Sequence, residues 1–451
     1  YENTYKGIEQ GFTIKEKPAG NGKLIVEGAV TTKNLSVEND AKGNITGTLL
    51  SNGYVAFKYE HLSAKDAKGK DLPVKLDLIK NTDTTYELDI SVDDSEAEYP
   101  IIIDPISTTP SWTGKAGSTT DFVTIPTGVA SAQYGKVATI AGDVNGDGRS
   151  DFLVTARSFT NGQVNEGAAY LYYGTGTGAM PATPGWAYES NSANAEFGHS
   201  ASAAGDVNND GYDDIVITAD GYDTFRGKIY LFLGSPAGLS KTPAWTYTNS
   251  AGAANQNLGQ SIAGAGDING DGFDDIIVGA HYYSETGLVH EGAAFVFYGN
   301  ASGFSSSPDW TIKGGMAGAL LGFSVAGVGD LDKDGYADVL VGAPMYGASN
   351  EGIAYLYYGG AAGLPAAPSQ TFTNGSAGSY FGNPVSPLGD VNKDGNLDIL
   401  IGASRYDVGA TDRGRVYAYY GAGNRNPLVV SWDKMDAAVA GSFFGCGSYS
   451  A

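Results

Sequence analysis

The sequence predicts an all-β protein whose larger part is one four-stranded unit copied in tandem. Three observations carry that prediction. The motif Asp-x-(Asn/Asp)-x-Asp-Gly-x-x-Asp occurs five times, starting at Asp143, Asp206, Asp267, Asp330 and Asp390, at steps of 63, 61, 63 and 60 residues. An even period of this length marks a tandem repeat of one supersecondary unit. Of 451 residues 66 are Gly and 29 are Tyr, and only 17% are charged, a profile of many short strands and turns rather than of helices or disorder.

Residues 1–105 carry no repeat and read as a small β-sandwich-like domain. Lys23–Val30, Tyr54–Tyr59, Val74–Ile79 and Tyr86–Val92 alternate as strands, with turns at Asn21-Gly22 and Asn52-Gly53 and polar loops at 40–44 and 66–71. The stretch 106–120, rich in Ser, Thr, Pro and Gly, reads as a linker that includes the first outer strand of the repeat region; 121–451 is the repeat region itself.

The third copy displays the unit best. Leu258-Gly259 opens a strand to Gly266, the acidic loop follows, 275–279 is a second strand, 292–299 a third, and 308–312 a fourth. Four antiparallel strands per ~60 residues, repeated radially, make a β-propeller. The other copies keep phase. Openers are Tyr134-Gly135, Phe197-Gly198, Leu321-Gly322, Phe381-Gly382 and Phe444-Gly445; fourth strands hold Trp112, Trp186, Trp245, Trp310 and Trp432, with Gln370 in the Trp place once. Each Trp is read as a packing anchor between blades. Ser111-Trp112 matches a fourth strand with no first three before it, and Phe444-Gly445 opens a blade that stops at Ala451. The expectation is a C-terminally incomplete ring with five complete blades, whose N-terminal strand would complete the last blade. A six-bladed ring needs roughly 45 further residues and a seven-bladed one roughly 105. The chain begins at Tyr1 without Met or signal peptide and is read as processed or partial.

Net charge is −23, of which −6 falls in 1–105 and −17 in the remainder, where sixteen of 32 acids sit at ligand positions in the five loops. This acidity argues against nucleic acid or an anionic membrane as partner, and no apolar run is long enough to insert in a membrane. One cysteine, Cys446, forbids an intrachain disulfide.

In each loop, positions 1, 3, 5 and 9 offer side-chain oxygens and position 7 a carbonyl; the Gly at position 6 calls for a positive φ. The sets are Asp143, Asn145, Asp147, Arg149 and Asp151; Asp206, Asn208, Asp210, Tyr212 and Asp214; Asp267, Asn269, Asp271, Phe273 and Asp275; Asp330, Asp332, Asp334, Tyr336 and Asp338; and Asp390, Asn392, Asp394, Asn396 and Asp398. Oxygen-only donors select Ca²⁺ over Zn²⁺, and Mg²⁺ prefers fewer protein ligands. One copy alone would read as a solvated turn; five in phase predict five Ca²⁺ sites of structural role. Without metal, the crowded carboxylates repel and the turn loosens. Such sites are often weak and fill in the millimolar Ca²⁺ outside cells, so the expected location is secreted, extracellular or cell-surface.

These marks resemble the FG-GAP repeat, the blade unit of the integrin α-subunit propeller. They are Phe-Gly at 197–198, 381–382 and 444–445, Gly-Ala-Pro at 342–344, and partial forms at Gly279-Ala280 and Gly402-Ala403. The resemblance covers roughly 110–451 and implies a seven-bladed FG-GAP β-propeller with Ca²⁺ between first and second strands, in an extracellular adhesion or binding protein. Residues 1–105 resemble a module that precedes such repeats in secreted bacterial proteins, on Gly7-Ile8-Glu9-Gln10-Gly11-Phe12, Pro18-Ala19-Gly20, Asp66–Gly69 and the closing Tyr-Pro-Ile-Ile-Ile-Asp-Pro.

No catalytic constellation is recognisable. His61, His199, His281 and His290 read as surface polarity, and no Gly-x-Ser-x-Gly, His-Glu-x-x-His or phosphate loop is present. Three readings stand: a Ca²⁺-dependent binding or adhesion module for a protein or glycan; a self-assembling structural subunit of a surface layer or appendage; and a propeller lectin or polysaccharide-active enzyme. Partner binding is expected on the face opposite the acidic loops, where loops vary and carry exposed-looking Phe159, Tyr222, Arg226, Tyr282, Tyr283, Tyr346, Tyr406 and Arg413.

Overall fold

The computed structural model describes residues 2–107, with breaks at 5–6, 10–11, 19–23, 32–34, 40–44, 50–54 and 81–84, and residues 132–435, with breaks at 176–180, 182, 250–254, 286, 408–412 and 426–427. The expected strand around Trp112, the turns Asn21-Gly22 and Asn52-Gly53, the loop 40–44 and the opener Phe444-Gly445 lie outside the described residues. The chain divides into two compact units, one essentially up to Gly114 and one from Lys115 on.

The first unit is two antiparallel sheets. One pairs Leu24–Thr31, Thr85–Val92 and Val74–Lys80; the other is seven-stranded, with Val55–Lys65 and Ile101–Ser107 adjacent at its centre. Alternation supplies the core, since one residue in two faces inward. Leu24, Ile90 and Val92 from the first sheet meet Ala64, Ile101 and Ile103 from the second, all buried. The turn at 66–71 is held by Asp66, whose Oδ1 accepts the backbone N–H of Lys68 and of Lys70.

The second unit is a run of five antiparallel four-stranded sheets, the blades of a β-propeller. The first strands are Tyr134–Gly142, Phe197–Gly205, Leu258–Gly266, Ser324–Gly329 and Phe381–Gly389. The second are Asp151–Ala156, Asp214–Ala219, Asp275–Ala280, Asp338–Ala343 and Asp398–Ala403. Second strands are almost wholly buried; in the middle three blades a neighbouring blade lies on each side, and these strands read as continuous apolar runs. The fourth blade departs from the expected opening. Leu321 makes only a bridge to Gly292 and the strand starts at Ser324. In the third blade, Gly299–Asn300 pairs with Gly303–Phe304 in a small extra hairpin.

The Phe-Gly pair has a mechanical reason. The aromatic or Leu plugs the space between blades: Phe197, Leu258, Leu321 and Phe381 are fully buried. The glycine then crosses the second strand of the preceding blade at very close range. Gly198 accepts the Thr155 hydroxyl at 2.7 Å, and a Cβ on Gly322 would stand 3.0 Å from the Cα of Gly279. The φ of +87° at Gly198 and +91° at Gly382 also needs glycine.

The outer tryptophans tie blades together. The indole Nε1 of Trp186 donates to the carbonyl of Ser240, that of Trp245 to Ser305, and that of Trp310 to Pro365, each in the next blade's loop between third and fourth strands. Gln370 makes the same link. Its Nε2 donates to the Leu428 carbonyl at 2.7 Å, and its Oε1 accepts the Leu428 N–H at 2.9 Å.

Candidate functional site

All five acidic loops join first to second strands, so antiparallel topology puts them on one face, together with the loops between third and fourth strands. Each folds by the same rule. The Asp at position 1 accepts backbone N–H groups from positions 5 and 6, as Asp206 does from Asp210 at 2.9 Å and Gly211 at 2.7 Å. Position 3 accepts from position 5, as Asn208 does from Asp210 at 3.2 Å. The glycine at position 6 has φ between +81° and +94° in all five copies, which is what the turn requires. Side-chain oxygens of positions 1, 3 and 5 are thus folded inward over one turn. In the fourth loop one oxygen each of Asp330, Asp332 and Asp338 lies within 4.8 Å of the others.

Position 9 has a further job. Asp151, Asp214, Asp275, Asp338 and Asp398 are buried. Oδ2 of Asp275 accepts the N–H of Ile268, and Oδ1 that of Gly299 at the end of the third strand, both at 2.8 Å. The same pair of bonds recurs in the other four blades. Burial pushes the Asp275 carboxyl up to about 8 and those of Asp214 and Asp338 up to about 7. The donor chemistry fits a hard cation: carboxylate and amide oxygens, with no nitrogen or sulfur donor in the motif. An ion would be held by positions 1, 3 and 5, with the carbonyl of position 7 and a free lone pair of position 9.

Two features of the loops were invisible in the motif. At position 8, Oδ2 of Asp213 accepts the N–H of Asp143 at 2.6 Å, and Oδ2 of Asp274 accepts that of Asp206 at 2.9 Å, each reaching the preceding blade's loop. The doublets Asp213-Asp214 and Asp274-Asp275 were the available signal. In the fourth loop, where Asp332 stands in the Asn place, Arg425 of the fifth blade lays its guanidinium on Asp332 and Asp334.

Five segments, 137–172, 197–232, 258–297, 321–357 and 382–419, match the family described as the FG-GAP repeat. The chain carries five FG-GAP repeats. Integrin alpha-V of Gallus gallus is 29% identical over 247 residues, covering 53% of this chain and 23% of that protein. Integrin alpha pat-2 of Caenorhabditis briggsae is 32% identical over 45% of this chain and 17% of that protein, and integrin alpha-IIb of Mus musculus 37% identical over 35% and 15%. The match therefore spans less than a quarter of the length of these relatives. A solved eukaryotic initiation factor aligns over 94% of this chain and 90% of its own at 10% identity and a TM-score of 0.28, too low to bear on the fold.

On the opposite face of the FG-GAP blades lie the loops between second and third strands and the crossings between blades. Phe159 is corrected: it is fully buried, edge-on to Tyr170, because its loop folds back under itself. Tyr283, Tyr346 and Tyr406 are half-buried and pack partly on the cores between blades; the Tyr406 hydroxyl accepts from Arg415. Tyr222 is half-buried, Arg226 pairs with Asp223 at 3.5 Å, and Arg413 is half-buried. Tyr282 is exposed and packs on the rings of His281 and His290.

Reading the histidines as surface polarity fails for two of them. His199 and His281 are 8% and 5% exposed. His199 follows Phe197-Gly198 on an inner strand, and His281 directly follows a buried second strand. Burial pushes the His281 imidazole down to about 4, so it is neutral. His199 meets Asp220, Glu196 and Arg157 in a cluster that sequence spacing did not reveal.

Proposed function

We propose that the chain is the Ca²⁺-stabilised propeller of an extracellular binding or adhesion module, with a protein or glycan partner seated on the face opposite the acidic loops. One observation carries the face assignment. Large apolar side chains are exposed at Val164 (60%), Phe225 (43%), Tyr282 (37%) and Val289 (63%) in loops between second and third strands of three adjacent blades, whereas on the acidic side Val391 (49%) and Val429 (69%) are exposed in the fifth blade. Exposed apolar groups gathered on one rim mark an interaction site. Phe225 lines two open clefts, of about 580 and 340 Å³, and Tyr282 lines the smaller. The acidic loops, in contrast, keep one length from blade to blade, as suits a metal-braced frame. The relatives named integrins support a cell-surface setting for this reading.

Two measurements test the two halves separately. A melt in millimolar Ca²⁺ should lie above a melt in EDTA, since Ca²⁺ at 100 times its Kd adds about 2.7 kcal/mol per independent site; coincident melts overturn the metal half. Binding to a glycan array and a panel of secreted and matrix proteins should be lost when Phe225, Tyr282 and Val289 are changed together to Ser, with the Ca²⁺-dependent melt unchanged. Binding that survives this change, yet fails when loop residues of the acidic face outside the ligand sets are altered, reverses the faces.

A further inference from the structure

We propose that Glu196, His199 and Asp220 form a transition-metal site of Zn²⁺ type on the face opposite the acidic loops, distinct from them in chemistry and place. The backbone brings the three together. The pairing of Phe197 with Ala219 sets the start of the second blade's inner strand beside the end of its neighbour. Glu196 immediately precedes that inner strand, His199 is its third residue, and Asp220 directly follows the second strand. One donor atom from each lies within 4.8 Å of the others.

The cluster contains polar atoms that the protein leaves unsatisfied. Nδ1 of His199 and Oδ1 of Asp220 are 2.9 Å apart, in side chains 9% and 2% exposed, yet neither makes a directed hydrogen bond. Buried polar atoms without partners are rare and call for an explanation. A cation shared by the imidazole lone pair and the carboxylate satisfies both at once. Arg157 braces the far side: its Nη2 contacts Oε2 of Glu196 and stands 3.7 Å from Oδ2 of Asp220. Outer partners of this kind fix ligand orientation.

The donor set separates this site from the FG-GAP loops. One imidazole nitrogen with two carboxylate oxygens favours Zn²⁺, whereas oxygen-only loops favour Ca²⁺. Three protein ligands leave a fourth position open. Glu196 also lines the cleft of about 580 Å³, beside Tyr222 and Phe225, so a carboxylate or water enters from there. The cleft wall is a left-handed turn, Asp223, Thr224 and Phe225, with φ of +48°, +60° and +59°. Three successive non-glycine residues in this region are strained, and such strain gathers at ligand sites.

The test uses the whole chain in millimolar Ca²⁺, which fills the acidic loops, dialysed against Zn²⁺ with metal analysis. One Zn²⁺ per chain is expected, weakened about tenfold or more by His199→Gln and by Asp220→Asn and unchanged by His290→Ala, which removes an exposed imidazole. No retained Zn²⁺, displacement of Zn²⁺ by Ca²⁺, or loss in His290→Ala instead of His199→Gln overturns the proposal. Should a variant not fold, Co²⁺ added to the unaltered protein decides: intense visible bands of four-coordinate Co²⁺ support the site, and weak octahedral bands overturn it. None of these outcomes touches the Ca²⁺ reading, whose test is the EDTA melt.

Discussion

Nε of Arg425 donates to Oδ2 of Asp332 at 2.5 Å, across 93 residues of sequence and from one blade to the next. Asp332 is the one acid standing where the other four loops have Asn, and Arg425 is the cation that answers it. The pairing raises the Arg425 guanidinium further, while burial pushes the Asp332 carboxyl up against the lowering effect of that same contact. The fourth loop thus carries an internal positive charge where a bound Ca²⁺ would act.

Arg425→Ala should therefore tighten Ca²⁺ binding at one site of five and leave four unchanged, read by calorimetric titration. The guanidinium is 59% exposed, so the metal-free protein changes stability by no more than about 1 kcal/mol. Unchanged or weaker Ca²⁺ binding at every site would show that Arg425 does not compete for Asp332 and Asp334.

Asp334→Ala removes a central oxygen from the same loop and should cost that site most of its affinity. The Ca²⁺-dependent part of the melt should shrink by the share of one site, about 2.7 kcal/mol at 100 times Kd. A full-sized Ca²⁺ shift in this variant would remove Asp334 from the ligand set.

Asp213→Ala leaves the N–H of Asp143 without its 2.6 Å partner. Loss of a hydrogen bond that leaves its mate unsatisfied costs about 1–3 kcal/mol, read as a lower urea midpoint. The substitution touches no motif position, so a loss of Ca²⁺ binding in the second loop with no loss of stability would contradict the tie.

Gln370→Trp restores the residue of the other blades and should nevertheless destabilise. Tryptophan has a donor and no acceptor, so the Leu428 N–H, now 2.9 Å from Oε1, loses its partner in a buried position. The expected cost is about 1 kcal/mol or more; a raised urea midpoint would show that indole packing outweighs the lost bond.

What the sequence made legible was local. The glycine at position 6, the Phe-Gly pair and the outer Trp each encode a turn, a close crossing or an anchor within one blade, and five copies averaged away the accidents of each. What it hid was non-local. Phe159 looks like any aromatic in a variable loop, and only the path of that loop buries it. Glu196, His199 and Asp220 converge because a crossing, an inner strand and a strand end share one rim, and nothing in their spacing says so. A signal did exist: aligned by blade, His199 takes the place of Lys136, Gln260, Phe323 and Asn383, and Asp220 that of Arg157, His281, Pro344 and Ser404. Variation at a position with fixed surroundings is where a repeat acquires a private function. Arg425 was out of reach for the same reason, since its partner belongs to another copy.

The position-8 links have a consequence for titration. Asp213 and Asp274 join the first three loops in a chain of charged hydrogen bonds, each running back to the preceding loop. At the next two junctions the same position is Ala337 and Leu397, which have no carboxylate to offer; Ala337 keeps only a backbone bond, its N–H donating to the Asp267 carbonyl at 2.9 Å. An ion entering the second or third loop therefore alters the field at the loop before it through a carboxylate, a link that the fourth and fifth loops lack. A Ca²⁺ isotherm should resolve into two classes, three interdependent sites and two solitary ones, and a chelator should empty the ring in groups instead of at random.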